Sequence, residues 1–274
     1  MEQDTTWILL EQLKKEWNLQ ISLLRISPYG VLQYDEIPNL IRKNTRAVIC
    51  AHGCGVTGNI ADLERISAIT RRYGLLLISD GCQTAGAIPV NLTELGADVY
   101  CFTAHKKMMG PHGLGGVCTK ENLLLNQEQI RQIQQPDGNK LGMYCGSLKF
   151  IAEKGLYGVG IFPHRLAKRF FEAVKSMKEV TVYGDFGTNL RLPIVSIKVK
   201  DHSPKEVKEY LARRHKIVVD GGLQQEERMH RALGTEKEGL VRFSFGYFNT
   251  RQQVNDGIWA MMDLLGMDDL YLLS

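Results

Sequence analysis

The sequence predicts an α/β fold: a mostly parallel sheet with helices on both faces, followed by a smaller C-terminal α/β domain. Three observations predict it. Short apolar runs alternate with amphipathic helical stretches through the first half of the chain. Two of those runs end in polar residues, Asp80 and His105-Lys106, as expected where parallel strands aim their carboxyl ends at a ligand. From Gly146 the pattern changes to one long helical stretch and then further strands and helices. We expect two domains, 1–145 and 146–274.

The elements follow in order. Thr6 to Trp17 carries apolar residues at helical spacing, with Asp4 or Thr5 as its cap. Gln20 to Arg25 reads as a strand and Tyr34 to Arg42 as a short helix. Ala47 to Ala51 is a buried strand, followed by a bend rich in glycine at Gly53, Gly55 and Gly58. Ile60 to Arg72 is an amphipathic helix, Leu75 to Ser79 a second buried strand ending at Asp80, and Val99 to Thr103 a third. Gly115 to Thr119 is a short strand after a glycine-rich turn. Asn126 to Met143 is polar and reads as a surface connection. Beyond it come a helical stretch over Phe150 to Met177, strands at Val180 to Tyr183 and Ile194 to Val199, and a helix at Pro204 to Arg214. Strands at Ile217 to Asp220 and Val241 to Phe245 and a helix at Gln252 to Leu265 complete the domain.

The composition is that of a globular protein: 274 residues, 44% hydrophobic and 23% charged. The net charge of +4 is spread along the chain. Its densest cluster, Arg213, Arg214, His215 and Lys216, closes a helix and reads as a solvated helix end, not a nucleic-acid surface. Met1 to Lys14 has no basic start or apolar core of a signal peptide, and no run approaches the ~18 apolar residues of a membrane span. The expected location is cytoplasmic. The six cysteines all lie at or before Cys145, most in or beside strand-like runs, which is no disulfide framework. Cys50, His52 and Cys54 lack a second ligand pair, so reduced core thiols describe them better than a zinc site.

Asp80 and Lys106 carry the chemistry. A lysine at a strand end, once desolvated, can form an imine, and a carboxylate beneath a pyridine nitrogen can hold that nitrogen protonated. A turn-forming Asp and an exposed Lys explain the same residues without any cofactor.

The run from Ile78 to Gly116, ISDGCQTAGAIPVNLTELGADVYCFTAHKKMMGPHGLGG, resembles the core of the cysteine desulfurase and selenocysteine lyase family. These are pyridoxal 5'-phosphate (PLP) enzymes of the aminotransferase class V group, with the PLP-dependent transferase fold type I. Weaker similarity runs back through AVICAHGCGVTGNIADLERI and forward through TVYG, ALGT and VRFSFGYFNT. The resemblance implies a role for each matching residue. Lys106 is similar to the imine-forming lysine that also moves the Cα proton. Asp80 resembles the partner of the pyridinium nitrogen, and Gln83 the amide on the cofactor's phenolic oxygen. Thr103 and His105 resemble the phosphate-binding pair, and Arg242 the guanidinium that clamps the substrate's α-carboxylate. Cys82 takes a small-residue position against the ring, and Lys107 is expected to be a solvated neighbour. A homodimer through the large domain and a small amino-acid substrate such as L-cysteine are implied as well.

The pattern also departs from the family. His52 matches, but Gly55 stands where the family has Asn. The family's N-terminal region, with its phosphate-cradling turn, has no counterpart before Glu2, which makes 1–145 an incomplete PLP-binding domain; Gln3 falls where a histidine stacks on the ring. In Gly222-Leu223-Gln224-Gln225-Glu226-Glu227, Gln225 occupies the position of the persulfide-forming cysteine, and Asp220 that of a nearby arginine. The stretch from Pro136 to Gly146 is shortened, with Cys145 at the junction as a conceivable substitute nucleophile. Two readings stay open: a PLP-dependent lyase or transferase, or a degenerate or split homologue that is inactive or needs a separate chain to supply the missing region.

Overall fold

The first half builds a sheet with buried residues such as Leu77 and Tyr100 in its core, while Ile49, Leu76 and Val117 stay exposed. Helix α1 (Asp4–Trp17) leads; a 3₁₀ turn (Tyr34–Glu36) runs into α2 (Ile37–Leu40). Then come β1 (Ala47–Ala51), α3 (Leu63–Arg72), β2 (Leu76–Asp80), α4 (Leu92–Leu95), β3 (Val99–Thr103) and β4 (Gly115–Thr119). Strands β1, β2 and β3 are parallel neighbours in that order, and β4 closes the edge antiparallel to β3. The computed structural model describes residues 1–121, 123, 137–188 and 190–267.

Helix α3 shows why these elements form. Asp62 caps it by accepting the Arg65 N–H, and Leu63 and Ile66 fall on one face. Both are 1% exposed and pack with the fully buried Leu77 of β2. Burial of each such side chain stabilises the fold by about 1.5–3 kcal/mol.

The second half has its own sheet. Helix α5 (Gly138–Leu156) is interrupted near its end by Gly155 at φ 69° and continues through a π-helical turn (Tyr157–Ile161) into α6 (Phe162–Val174). After them come β5 (Val180–Tyr183), β6 (Ile194–Val199), α7 (Pro204–His215), β7 (Asp220–Gly222), α8 (Glu227–Ala232), β8 (Leu240–Ser244) and α9 (Arg251–Leu264). The sheet is antiparallel, in the order β5-β6-β8-β7. Phe170 of α6 is 1% exposed and lies 4.3 Å, centroid to centroid, from Phe243 of β8. Capping boxes start α7 (Ser203 with Glu206) and α9 (Thr250 with Gln253).

The two sheets share one loop, the bend from Gly53 to Gly58. Ser196 of β6 donates to the Val56 carbonyl at 2.5 Å. Arg191, 5% exposed, donates to the carbonyls of Thr57 (2.8 Å) and Ile194 (3.0 Å). Arg242 of β8 donates to the Gly55 carbonyl at 2.9 Å.

Several expectations from the sequence are corrected. Gln20 to Arg25 forms no strand; the chain there turns back on itself through a bridge between Ile26 and Leu32, and Arg42 donates to the side chains of Gln20 and Ser22. Neither Asp4 nor Thr5 caps α1, because Asp4 Oδ1 accepts the N–H of Glu227 instead. The helical stretch expected from Phe150 begins at Gly138, inside the supposed surface connection, whose residues 126–136 lie outside the described ones. The strand expected at Ile217 pairs only from Asp220, after Lys216 turns the chain with φ 59°. The basic end of α7 is more than solvated: Arg214 and His215 meet Asp263 of α9 at 2.8 and 2.9 Å. Among the described residues no helix is long and apolar enough to cross a membrane.

Candidate active site

Asp80 ends β2 and starts a tight turn. Its Oδ1 accepts the N–H of Cys82 at 2.8 Å, an arrangement local to Asp followed by two small residues. The turn presses against Tyr100 of β3: a Cβ on Gly81 would lie 2.1 Å from that ring, so only glycine fits. The Tyr100 hydroxyl sits 3.0 Å from His52 Nδ1 and 2.8 Å from Thr84 Oγ1. Burial holds His52 down to about 4 and pushes Tyr100 up to about 12, so both are neutral. This buried network fixes the backbone that presents Asp80, Cys82 and Gln83.

Parallel pairing sets Asp80 beside Cys101, two residues before the end of β3 at Thr103. Thr103 Oγ1 lies 2.6 Å from His105 Nδ1. The His105 ring stacks on His112 at 4.2 Å, and burial and the charges of His112 and Lys106 keep its pKa below the usual range. Lys106 follows on the bend after β3, partly buried and near enough for its charge to act on the Cys82 thiol. An acid, an amine and a hydroxyl–imidazole pair at neighbouring strand ends can hold a flat ring with a cationic nitrogen at one end and a phosphate at the other.

Lys107 corrects an expectation. It is partly buried, and its ammonium points toward the Phe245 carbonyl at 3.5 Å. Burial, with Arg242 nearby, lowers its pKa to about 8. Adjacent lysines thus face different surroundings, Lys106 the Cys82 turn and Lys107 the second sheet.

Arg242 comes to the same region from β8, opposite Asp220 of β7. Its Nη2 meets Asp220 Oδ2 at 2.9 Å and its Nη1 the Gly55 carbonyl, while its Nε is buried without a partner. Leading away from Asp220, the loop at Gln224 and Gln225 takes φ of 52° and 58°, a left-handed conformation unusual for side chains of this kind. The Gln225 carbonyl accepts the N–H of Asp4, which brings the segment around Gln3 beside the loop.

Glu226 is the residue that sequence reasoning missed. It is 1% exposed; Oε1 accepts the Gly55 N–H at 3.1 Å and Oε2 lies 3.4 Å from Cys54 Sγ. Burial pushes its carboxyl up to about 7. A Cβ on Gly55 would lie 2.4 Å from Glu226 and 2.7 Å from the Gln83 amide, so the glycine makes the room that Glu226 fills. The signal was present in the sequence as a lost side chain at Gly55, though not the residue that replaces it.

The cysteines divide. Cys50 and Cys54 are buried, and burial pushes both thiols up, Cys54 to about 12. Cys82 is also pushed up to about 12, by burial and then Asp80. Cys145 is exposed on α5 and is no core thiol. Among the described residues no group of three or more His, Cys, Asp or Glu side chains could hold a metal ion. An open groove of about 600 Å³, lined by Phe162, Tyr247, Phe248 and Arg251, contains none of the residues at the strand ends.

Comparison with known proteins adds a family frame. The model of the aminotransferase class-V family matches residues 1–134 and 141–256. A probable cysteine desulfurase of Halalkalibacterium halodurans is 23% identical over 279 residues, covering 93% of this chain and 67% of the relative. Cysteine desulfurase IscS of Pseudomonas fluorescens is 24% identical, covering 90% of this chain and 64% of the relative. The apo structure of a cysteine desulfurase from Thermococcus onnurineus NA1 superposes with a TM-score of 0.88 at 24% identity, covering 97% of this chain and 71% of that one. The chain thus spans about two thirds of the length of these curated relatives and has the fold of PLP-dependent transferases of fold type I.

Proposed function

Since the chain belongs to the aminotransferase class V family and is similar to cysteine desulfurases, we propose that it holds PLP through Lys106 and acts at the Cα of a small amino-acid substrate. The observation that carries this reading is the junction of β2 and β3, where Asp80, the Thr103–His105 pair and Lys106 meet at adjacent parallel strand ends.

The donor set fits the cofactor chemically. Asp80 is an acceptor for a protonated ring nitrogen, and Gln83 an amide for the phenolic oxygen. Thr103 and His105 are donors for the phosphate, and Lys106 is the amine that links to the aldehyde. When bound, PLP supplies an electron sink for charge that develops at the substrate's Cα. Lys106 would take and return the substrate's Cα proton. Asp80 keeps the ring nitrogen protonated, and the Tyr100–His52–Thr84 network keeps Asp80 in place. Arg242 faces the carboxyl end of the substrate. A persulfide step does not belong to the proposal: Gln225 has no thiol, and the thiols of Cys54 and Cys82 stay protonated near neutrality.

The test is to incubate the purified chain with PLP, reduce with borohydride and map the modified peptide. Cofactor fixed on Lys106 is the expected result; no retained cofactor, or fixation elsewhere, overturns the reading. We also propose a homodimer through the first domain (residues 1–145, with 146–274 as the second); a well-behaved monomer in sedimentation overturns that.

A further inference from the structure

We infer that His112 and Lys140 belong to the phosphate end of the site, so that the anion is held by a clamp of Thr103, His105, His112 and Lys140. The inference rests on the reading of Thr103 and His105 as phosphate donors, and it adds two residues from the loop after Lys106 and from α5.

Helix α5 packs on that loop through one face. Ser147 Oγ donates to the Met109 carbonyl at 2.8 Å. A Cβ on Gly110 would lie 2.8 Å from the Tyr144 ring, and one on Gly113 would lie 3.2 Å from Lys140 Nζ. Positions 140, 144 and 147 have the spacing of a single helix face. The register of α5 therefore lays the Lys140 ammonium against Gly113, the neighbour of His112. The loop in turn returns His112 to His105, with ring centroids 4.2 Å apart and planes within 22° of parallel. His112 is exposed, and His105 and Lys140 are partly exposed, so the group is open to a ligand from solvent.

With His105 Nδ1 turned to Thr103 Oγ1 at 2.6 Å, its Nε2 is left for a ligand. Two stacked imidazoles disfavour each other's protons. Burial, and then the positive charges of His112 and Lys106, hold the His105 pKa below the usual range. A phosphate dianion reverses that balance. Its charge favours the protonated form of both rings, and its oxygens accept from imidazole N–H, from the Lys140 ammonium and from the Thr103 hydroxyl. Lys140 lies in the first turn of α5, where the helix dipole disfavours a cation and a nearby anion offsets the cost. Asp137, the carboxylate of that turn, caps the helix by accepting the Asn139 N–H at 2.8 Å. A stacked pair with a purely structural role needs neither ring nitrogens nor a lysine beside it.

The experiment compares the chain's affinity for PLP with that for pyridoxal, which lacks the phosphate, through the absorbance of the lysine-linked cofactor. His112→Phe keeps a flat ring for stacking and removes the N–H groups; Lys140→Met keeps the length and removes the charge. Each should lower the preference for PLP over pyridoxal by about tenfold or more and leave the pyridoxal affinity unchanged, and Lys140→Arg should keep the preference. A preference unchanged in either of the first two variants, or a parallel loss of both ligands, overturns the proposal. A second titration uses the cofactor-free proteins and follows the Cε1–H resonances of His105 and His112 on adding inorganic phosphate. Phosphate should shift both far more than potassium chloride of equal ionic strength, and His112→Phe and Lys140→Met should each weaken the phosphate response of His105. Equal responses to the two salts, or a His105 response that neither variant weakens, overturn the proposal. If neither PLP nor pyridoxal links to Lys106, the proposed function falls, and the phosphate titration still decides the clamp.

Discussion

Glu226 places its carboxyl on the backbone of Gly55: Oε1 accepts the Gly55 N–H at 3.1 Å, in space that any side chain at that position would fill. The contact ties the loop after β7 to the glycine-rich bend after β1, across the two halves of the chain. It also buries an acid whose pKa rises from 4.5 to about 7.

That shift sets a pH dependence with a definite sign. The folded chain binds the Glu226 proton more tightly than the unfolded chain does. The stability from this group is therefore whole below about 4.5 and is lost as pH rises through about 7. The full loss is roughly 3 kcal/mol. Glu226→Gln keeps the hydrogen bond to Gly55 and cannot ionise. Its urea-unfolding free energy should change less across that interval than that of the wild type, and it should be the more stable protein on the alkaline side. Parallel curves for the two proteins would show that Glu226 is not the titrating group.

Lys106 and Lys107 are separable by substitution. Lys106→Ala should abolish the absorbance of the lysine-linked cofactor, whereas Lys107→Ala should keep it. Since burial lowers the Lys107 pKa, its charge is a burden on the fold near neutrality, and Lys107→Met should raise the melting temperature. Loss of the absorbance in Lys107→Ala with retention in Lys106→Ala would reverse the assignment.

The chain should release little or no sulfide and alanine from L-cysteine, even when loaded with PLP. A sulfur transfer of the desulfurase kind needs a thiolate, and the proposed reading puts Gln225, which has no thiol, at that position. Cys82→Ser and Cys145→Ser should leave the low rate unchanged. Rapid turnover that survives both substitutions would mean that sulfur leaves without any of these side chains.

Gly81→Ala should destabilise the fold by roughly 1–3 kcal/mol or more, because the new methyl meets the Tyr100 ring at 2.1 Å. The Tyr100 side chain is gripped by His52 and Thr84 and cannot give way freely. In the background of Tyr100→Ala the same change should cost much less, a coupling that a double-mutant cycle in urea reads directly.

The parallel strands were legible because β1, β2 and β3 are short apolar runs with polar ends, and such runs have few other uses. The same logic failed at Gln20 to Arg25, where an apolar alternation exists but no neighbouring strand is available to pair with it. Helix α5 was hidden by glycines at Gly138, Gly142 and Gly146, which read as loop although each fits a helix. The placement of Asp80, Thr103, His105 and Lys106 at neighbouring strand ends was legible through their run of sequence. The environment of Arg242 was not: the pairing with Asp220 arises from the register of β7 and β8, and a lone aspartate carries no mark of the strand it will face. Lys107 was misread for a related reason, since exposure belongs to the packing of the second sheet and not to the residue.

The bend from Gly53 to Gly58 continues from β1 of the first sheet and lends the peptide groups of Gly55, Val56 and Thr57 to side chains of the second half. Opening the second half would leave these peptide groups without partners, so its partial unfolding is penalised in the first half as well. The slowest amide protons to exchange should include that of Gly55, and they should do so only when the whole chain opens. The two halves then melt in one cooperative transition, and a lesion in the C-terminal sheet is felt as lost protection around Asp80.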